Sequence, residues 1–204
     1  MLWALLQNWL NSSQTWIDMQ QIPLQALMVV ATMVLFVTTL TINEWLLMRF
    51  EFVRGINWIY LPAGIRLLST LLFAEAGAVG LLFVSWLVSY FYFFPDDLLR
   101  AFAGGILATL APYSIYRFAQ HKYGLHASLA NLTPKRLLVL IVAYSVASPL
   151  LHHIWFALQG KENLAQGLIA MFVGDLSGTL LVIYTIKIIL SLLPSSRSHA
   201  LTSR

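Results

Sequence analysis

The chain contains no cysteine, which removes disulfides, thiolate nucleophiles and thiolate-ligated metals as sources of stability or chemistry. Charge is also scarce: 10% of the 204 residues are Asp, Glu, Lys or Arg, where a soluble domain carries roughly a quarter. Three stretches have none at all: the 25 residues between Asp18 and Glu44, the 20 between Glu75 and Asp96, and the 24 between Arg136 and Lys161. Each can cross about 30 Å of hydrocarbon at about 1.5 Å per residue. Hydrophobic content is 59% and mean hydropathy +0.78. These values exclude an ordinary soluble domain and point to a polytopic membrane protein. The net charge of +4 is then a matter of topology, not of nucleic-acid binding.

The expected fold class is all-α, a membrane bundle of about six transmembrane helices with an N-terminal interfacial helix. Residues 1–20 place Trp3, Leu6, Trp9 and Leu10 near one helical face among Gln and Asn, a pattern suited to the bilayer interface. No charged region precedes the first apolar residues and no small-residue cleavage site follows, so a removable signal peptide is not expected. Spanning segments are expected near 22–42, 57–73, 76–94, 99–118, 136–157 and 165–191, within one domain at 21–193. The Ser-rich tail 194–204 is expected to be disordered and cytoplasmic. The connection from Arg117 through Lys122 and His126 to Lys135 and Arg136 holds four Lys/Arg and no acid, which assigns it to the cytoplasm. Six crossings then place both termini inside, in agreement with Arg197 and Arg204. The opposite loops carry Arg49 and Arg54 against Glu44 and Glu51, then Asp96 and Asp97, then Lys161 and Glu162. No internal repeat or lipidation signal is present.

Ionisable residues at bilayer depth cost about 2.5 to 3.5 kcal/mol each on insertion scales, so each needs a partner or a purpose. Arg66 lies in YLPAGIRLLSTLLF and Asp175 in IAMFVGDLSGTLLVIY. Counted from the same face, both fall about 13 to 15 Å deep. An Arg66–Asp175 ion pair is therefore expected, either locking two helices together or forming part of a ligand site. Pro62 and Gly64, one turn before Arg66, predict an irregular helix start with a polar cavity beside it, or else an ordinary Pro in a first helical turn. Ala170, Gly174 and Gly178 form a ridge of small residues for close helix packing, which makes the last helix the expected centre of the bundle. His152 and His153 are adjacent, about 100° apart on a helix, and cannot readily chelate one ion; hydrogen-bonded histidines are expected, with cavity lining as the functional alternative. No metal site or cofactor is expected.

Catalytic patterns fail on inspection. Ser177 in GDLSG has Asp175 where a rhomboid-type serine has glycine two residues earlier, there is no HExxH, and cysteine chemistry is impossible. The chain is therefore not expected to be an enzyme.

The run NWIYLPAGIRLLSTLLF, the Gly-containing AGAVGLLFVSWLV and the late GDLSGTLLVIY resemble the bacterial membrane-associated sensor domain of the MASE type, and the membrane portion of the hexose-phosphate sensor kinase is similar. The resemblance rests on Pro62, Ala63, Gly64 and Arg66 and on Gly174, Asp175 and Gly178, and covers about residues 25–191. Members usually have about eight spans and a cytoplasmic output module, whereas about six spans are expected here, with output from another protein. The resemblance implies an inner-membrane sensor-like or scaffold protein that docks on a kinase, cyclase or multi-protein complex, with a small ligand near Arg66 and no nucleic acid. The alternative is a small transporter or substrate-binding subunit for an anionic solute.

Overall fold

A computed structural model describes the backbone of residues 2–125, 129, 131–161 and 164–192, and side chains from residue 22 onward. The tail 194–204, the side chains of Trp3, Leu6, Trp9 and Leu10, and His126 lie outside the described residues. The fold is all-α apart from one minimal hairpin. Helix α1 (Leu2–Leu47) ends in a 3-10 turn (Met48–Phe50) and an antiparallel pair, β1 (Glu51–Val53) and β2 (Ile56–Asn57). Helices α2 (Leu61–Val88), α3 (Leu98–Tyr123), α4 (Pro134–Leu158) and α5 (Leu164–Leu192) follow, with a π-helical turn (Ser89–Phe93) closing α2.

Among the described residues, five helices are long and apolar enough to cross a bilayer, yet only 17% to 44% of each apolar stretch is buried within the molecule. Most of their apolar surface therefore faces outward, the arrangement of a multi-pass membrane protein rather than of one folded in water. No helical break separates residues 2–20 from the rest of α1, which runs through Pro23 without interruption.

Of the six segments expected, 57–73 and 76–94 fall within Leu61–Phe93, where two helices join directly at a kink. It is not straight. Ala74 has φ 52° and ψ −126°, the geometry of the first central residue of a type II′ turn, and the helix folds back there. A straight helix of 33 residues would separate its ends by about 50 Å. Instead Arg54, seven residues before Leu61, donates Nε–H to Phe93 O at 3.0 Å and Nη2–H to Tyr92 O at 2.6 Å. At the other end Glu75 pairs with Arg117 of α3 at 3.7 Å, both side chains being about 60% exposed, so that pair contributes little. Gly77 lies so close to Ser69 that any Cβ would collide with its carbonyl, which is why the reversal needs glycine at that point.

Helix ends follow local chemistry. Asp97 accepts from Arg100 N at 3.0 Å and caps α3. Gly124 closes α3 in the left-handed conformation at φ 57°, as a helix C-terminus favours. Thr133 caps α4 ahead of Pro134. The start of α2 has no such local cap: Leu61 N donates instead to Asn43 Oδ1 of α1 at 2.9 Å.

The centre of the bundle is α2, not α5. Helix α2 packs against α1, α3 and α5, whereas α5 packs on α2 and α4, and α1 on α2 alone among the helices apart from isolated contacts. Leu67, Leu71, Leu81, Val84, Leu140 and Tyr144 form its fully enclosed interior.

Three substitutions test this frame by thermal unfolding in detergent. Gly178→Ala should lower stability by about 1 to 3 kcal/mol, since its Cβ would strike the Tyr60 carbonyl; Gly104→Ala, where only Ser89 Oγ comes within 4.0 Å, should be close to neutral. Ala74→Gly should raise stability by roughly 1 kcal/mol, because glycine adopts that positive φ without steric cost.

Candidate functional site

The site is built outward from an extended stretch of chain, Asn57 to Tyr60. It lies directly on α5, where Cβ atoms at Gly174 or Gly178 would collide with the carbonyls of Asn57 and Tyr60. Tyr60 N donates to Gly174 O at 3.1 Å, and Ser177 Oγ donates to Trp58 O at 3.1 Å. Ala170, fully buried, packs with Ile56 in a satellite cluster. The small-residue ridge therefore seats a non-helical segment rather than another helix, and Ser177 is occupied by packing.

This seating places α2 so that Arg66 and Asp175 line one cavity. Arg66 is 8% exposed and Asp175 1%. The expected direct ion pair is not formed: no nitrogen of Arg66 lies within 4.0 Å of an Asp175 oxygen, the one ion pair among the described residues being Glu75–Arg117. Arg66 instead lies over two aromatic faces, its Cζ 5.2 Å from the Phe36 ring centroid and 5.3 Å from that of Tyr60, with Nη2 3.5 Å from Tyr60 Oη. Tyr144 stands beside Arg66 and Ser148 beside Asp175, but neither hydroxyl reaches hydrogen-bond geometry. Arg66 Nε and Asp175 Oδ2 are left without protein partners.

The cavity holds about 60 Å³. That admits a few waters or a small ion, and is well below the several hundred Å³ of a drug-sized ligand pocket. Besides Arg66 and Asp175 its wall includes Arg54, Arg100, Asn57, Ser85 and His152, set among Phe36, Phe93, Phe94, Trp155 and Phe156. Arg100 Cζ stacks 3.9 Å from the Phe94 ring centroid. Asn57 Nδ2, Ser85 Oγ and Arg100 Nε are buried without partners, like Arg66 Nε.

Not every expected lining residue is there. Pro62 occupies the first turn of α2, and a Cβ at Gly64 would meet Val182 Cβ at 2.6 Å; both are packing positions and neither lines the cavity. The histidines diverge. His152 and His153 each place Nδ1 2.8 Å from the carbonyl four residues earlier, Ser148 O and Pro149 O, but only His152 reaches the cavity, while His153 Nε2 faces Gly167. A carbonyl can only accept, so Nδ1 carries the proton and Nε2 of each ring is left as an acceptor. No group of three or more His, Asp or Glu side chains could hold a metal among the described residues.

Sequence reasoning missed Arg54, Arg100, Asn43 and Phe36. Each resembles an ordinary interfacial charge, a helix-end polar residue or a lipid-facing aromatic; the fold turns Asn43 and Phe36 inward, half-buries Arg100 and holds the exposed Arg54 at the rim of the cavity.

No family model, curated protein or solved structure matches the chain.

Removing one aromatic face tests the environment of Arg66. Phe36→Leu should destabilise by about 1 to 2 kcal/mol through the lost cation–π contact and lost packing. Tyr60→Phe, which keeps its ring and loses only the 3.5 Å contact, should cost well under 1 kcal/mol in the same thermal assay.

Proposed function

We propose that this protein is a non-enzymatic, sensor-like or scaffold protein of the bacterial inner membrane that docks on a membrane signalling or assembly partner and responds to a small ligand near Arg66. The observation that carries the reading is a pair of buried opposite charges lining one cavity without touching, each with an unpartnered polar atom. A structural lock would close that gap. A responsive site leaves donors and an acceptor for something else. The resemblance of the Pro62–Arg66 and Gly174–Gly178 segments to MASE-type sensor domains supports the same reading.

The orientation follows from charge. Arg117, Lys122, Lys135 and Arg136 share one end with the Ala74 turn and carry no acid besides Glu75, while at the other end Arg49, Arg54, Arg100 and Lys161 are balanced by Glu44, Glu51, Asp96 and Asp97. The basic end is assigned to the cytoplasm. Counting the two limbs of α2 separately, the chain then crosses six times with both termini inside.

The contact of Gly174 and Gly178 with bare backbone leaves no slack between α5 and the segment that leads into α2. The element with freedom is α1. Apart from isolated contacts it packs on α2 alone among the helices, and it supplies Phe36 over Arg66 and Asn43 at the start of α2. A ligand that binds Arg66 differently in two positions of α1 shifts the population between them. The partner then reads α1.

A transporter for a small anionic solute would use the same arginines. Against it, the interior toward the basic end is filled by Leu71, Ala119 and Leu140, all 2% exposed or less.

Because the chain has no cysteine, single labels can be placed without background. Spin labels at Leu27→Cys and Ile188→Cys, both sites exposed, should report a changed distance distribution in nanodiscs when Arg66→Gln is introduced, and proteoliposomes should show no anion uptake. An unchanged distribution together with uptake of radiolabelled anion would replace the sensor reading with the transporter one.

A further inference from the structure

We propose that the cavity binds a protonated tetrahedral oxyanion of the phosphate class, and that Asp175 selects for it. This rests on the ligand-binding reading of the same cavity and names the ligand.

Size comes first. At about 10 to 15 Å³ of such space per water, a cavity of about 60 Å³ takes about five non-hydrogen atoms, the number in a tetrahedral oxyanion. A sugar or nucleotide does not fit, although a phosphoryl group could enter with its substituent left outside.

Charge comes second. Arg54, Arg66 and Arg100 face Asp175 as the only acid of the wall. Arg54 is held by the carbonyls of Tyr92 and Phe93, leaving Arg66 and Arg100 with free Nε donors and Asn57 with a free Nδ2 donor. Both of those guanidiniums are stacked on aromatic rings, Arg66 on Phe36 and Tyr60, Arg100 on Phe94. They are oriented before any ligand arrives, so little side-chain freedom remains to be lost on binding.

The acceptor decides the class. Asp175 Oδ2 is buried with no donor in hydrogen-bond geometry, the Ser148 hydroxyl beside it included. Chloride and sulfate bring no hydrogen near neutral pH and would meet a carboxylate with nothing to offer it. Phosphate retains at least one O–H, which can donate to Asp175 while its other oxygens accept from the arginines and Asn57. A buried polar group that demands a hydrogen bond rejects a ligand lacking the matching atom by large factors. The phosphoryl group could be free phosphate or a phosphomonoester lipid headgroup.

The test uses the full chain in phosphatidylcholine nanodiscs, titrated calorimetrically with sodium phosphate, sulfate and chloride at constant ionic strength. Phosphate should bind at least tenfold more tightly than sulfate. Arg100→Gln, at a half-buried position, should weaken phosphate at least tenfold in a protein that still unfolds cooperatively without ligand, with a midpoint lowered no further than that of Phe36→Leu. Asp175→Asn should bring phosphate and sulfate within about threefold of each other. Phosphatidic acid in the nanodisc should weaken the apparent phosphate affinity if the natural source is a lipid, and leave it unchanged if it is free phosphate. Equal binding of phosphate and sulfate to the unmodified protein, or binding of neither, overturns the proposal. If neither binds and the α1 distance still responds to Arg66→Gln, the sensor reading survives without this ligand; if phosphate binds and α1 does not respond, the ligand stands and the sensor reading falls.

Discussion

Everything at the centre of this molecule depends on one contact between two stretches of backbone. Gly174 and Gly178 strip side chains from one face of α5, and the extended chain from Asn57 to Tyr60 lies on that face with its carbonyls against the glycines. An extended segment inside a membrane protein leaves amides and carbonyls in need of partners. The Tyr60 amide is taken by the Gly174 carbonyl, the Trp58 carbonyl by Ser177, and the Leu61 amide by Asn43. A side chain at either glycine would lift the segment away, and with it the origin of α2, the depth of Arg66 and the shape of the cavity.

The position of Arg66 raises an energetic question that its aromatic contacts answer only in part. A stacked, desolvated guanidinium gains about 2 kcal/mol from an aromatic face, less than the several kcal/mol that removing the charge from water costs. Two faces and a nearby carboxylate narrow the difference without forming a bonded pair. Arg66 also lines the cavity, whose largely apolar wall includes Asn57, Ser85 and His152. Arg66 is thus buried from lipid and from most of the protein, yet not from everything polar.

Much of this could be read along the chain, and the parts that could not share a cause. Charge-free stretches located the apolar helices because hydrocarbon imposes length and composition locally. Arg66 and Asp175 stood out because an ion at depth is rare whatever surrounds it, and the junction near residues 74–75 fell where the helix does reverse. The ridge at Ala170, Gly174 and Gly178 was legible as a close-contact surface, but what it contacts was not: small residues announce an approach without naming the approaching element. Arg100 and Asn43 carried no signal, since a residue near a helix end looks the same whether it turns to solvent or inward. The gap between Arg66 and Asp175 was also beyond sequence, because equal depth fixes one coordinate of three.

Helix α1 runs unbroken from Leu2 to Leu47, about 69 Å of helix against about 30 Å of hydrocarbon. The part preceding Ile22 amounts to about 30 Å. A rotation of five degrees about the contact at Phe36 would carry the far tip of that arm sideways by several ångström. A displacement too small to notice beside the arginine becomes, at the amino-terminal end, a movement as large as a side chain.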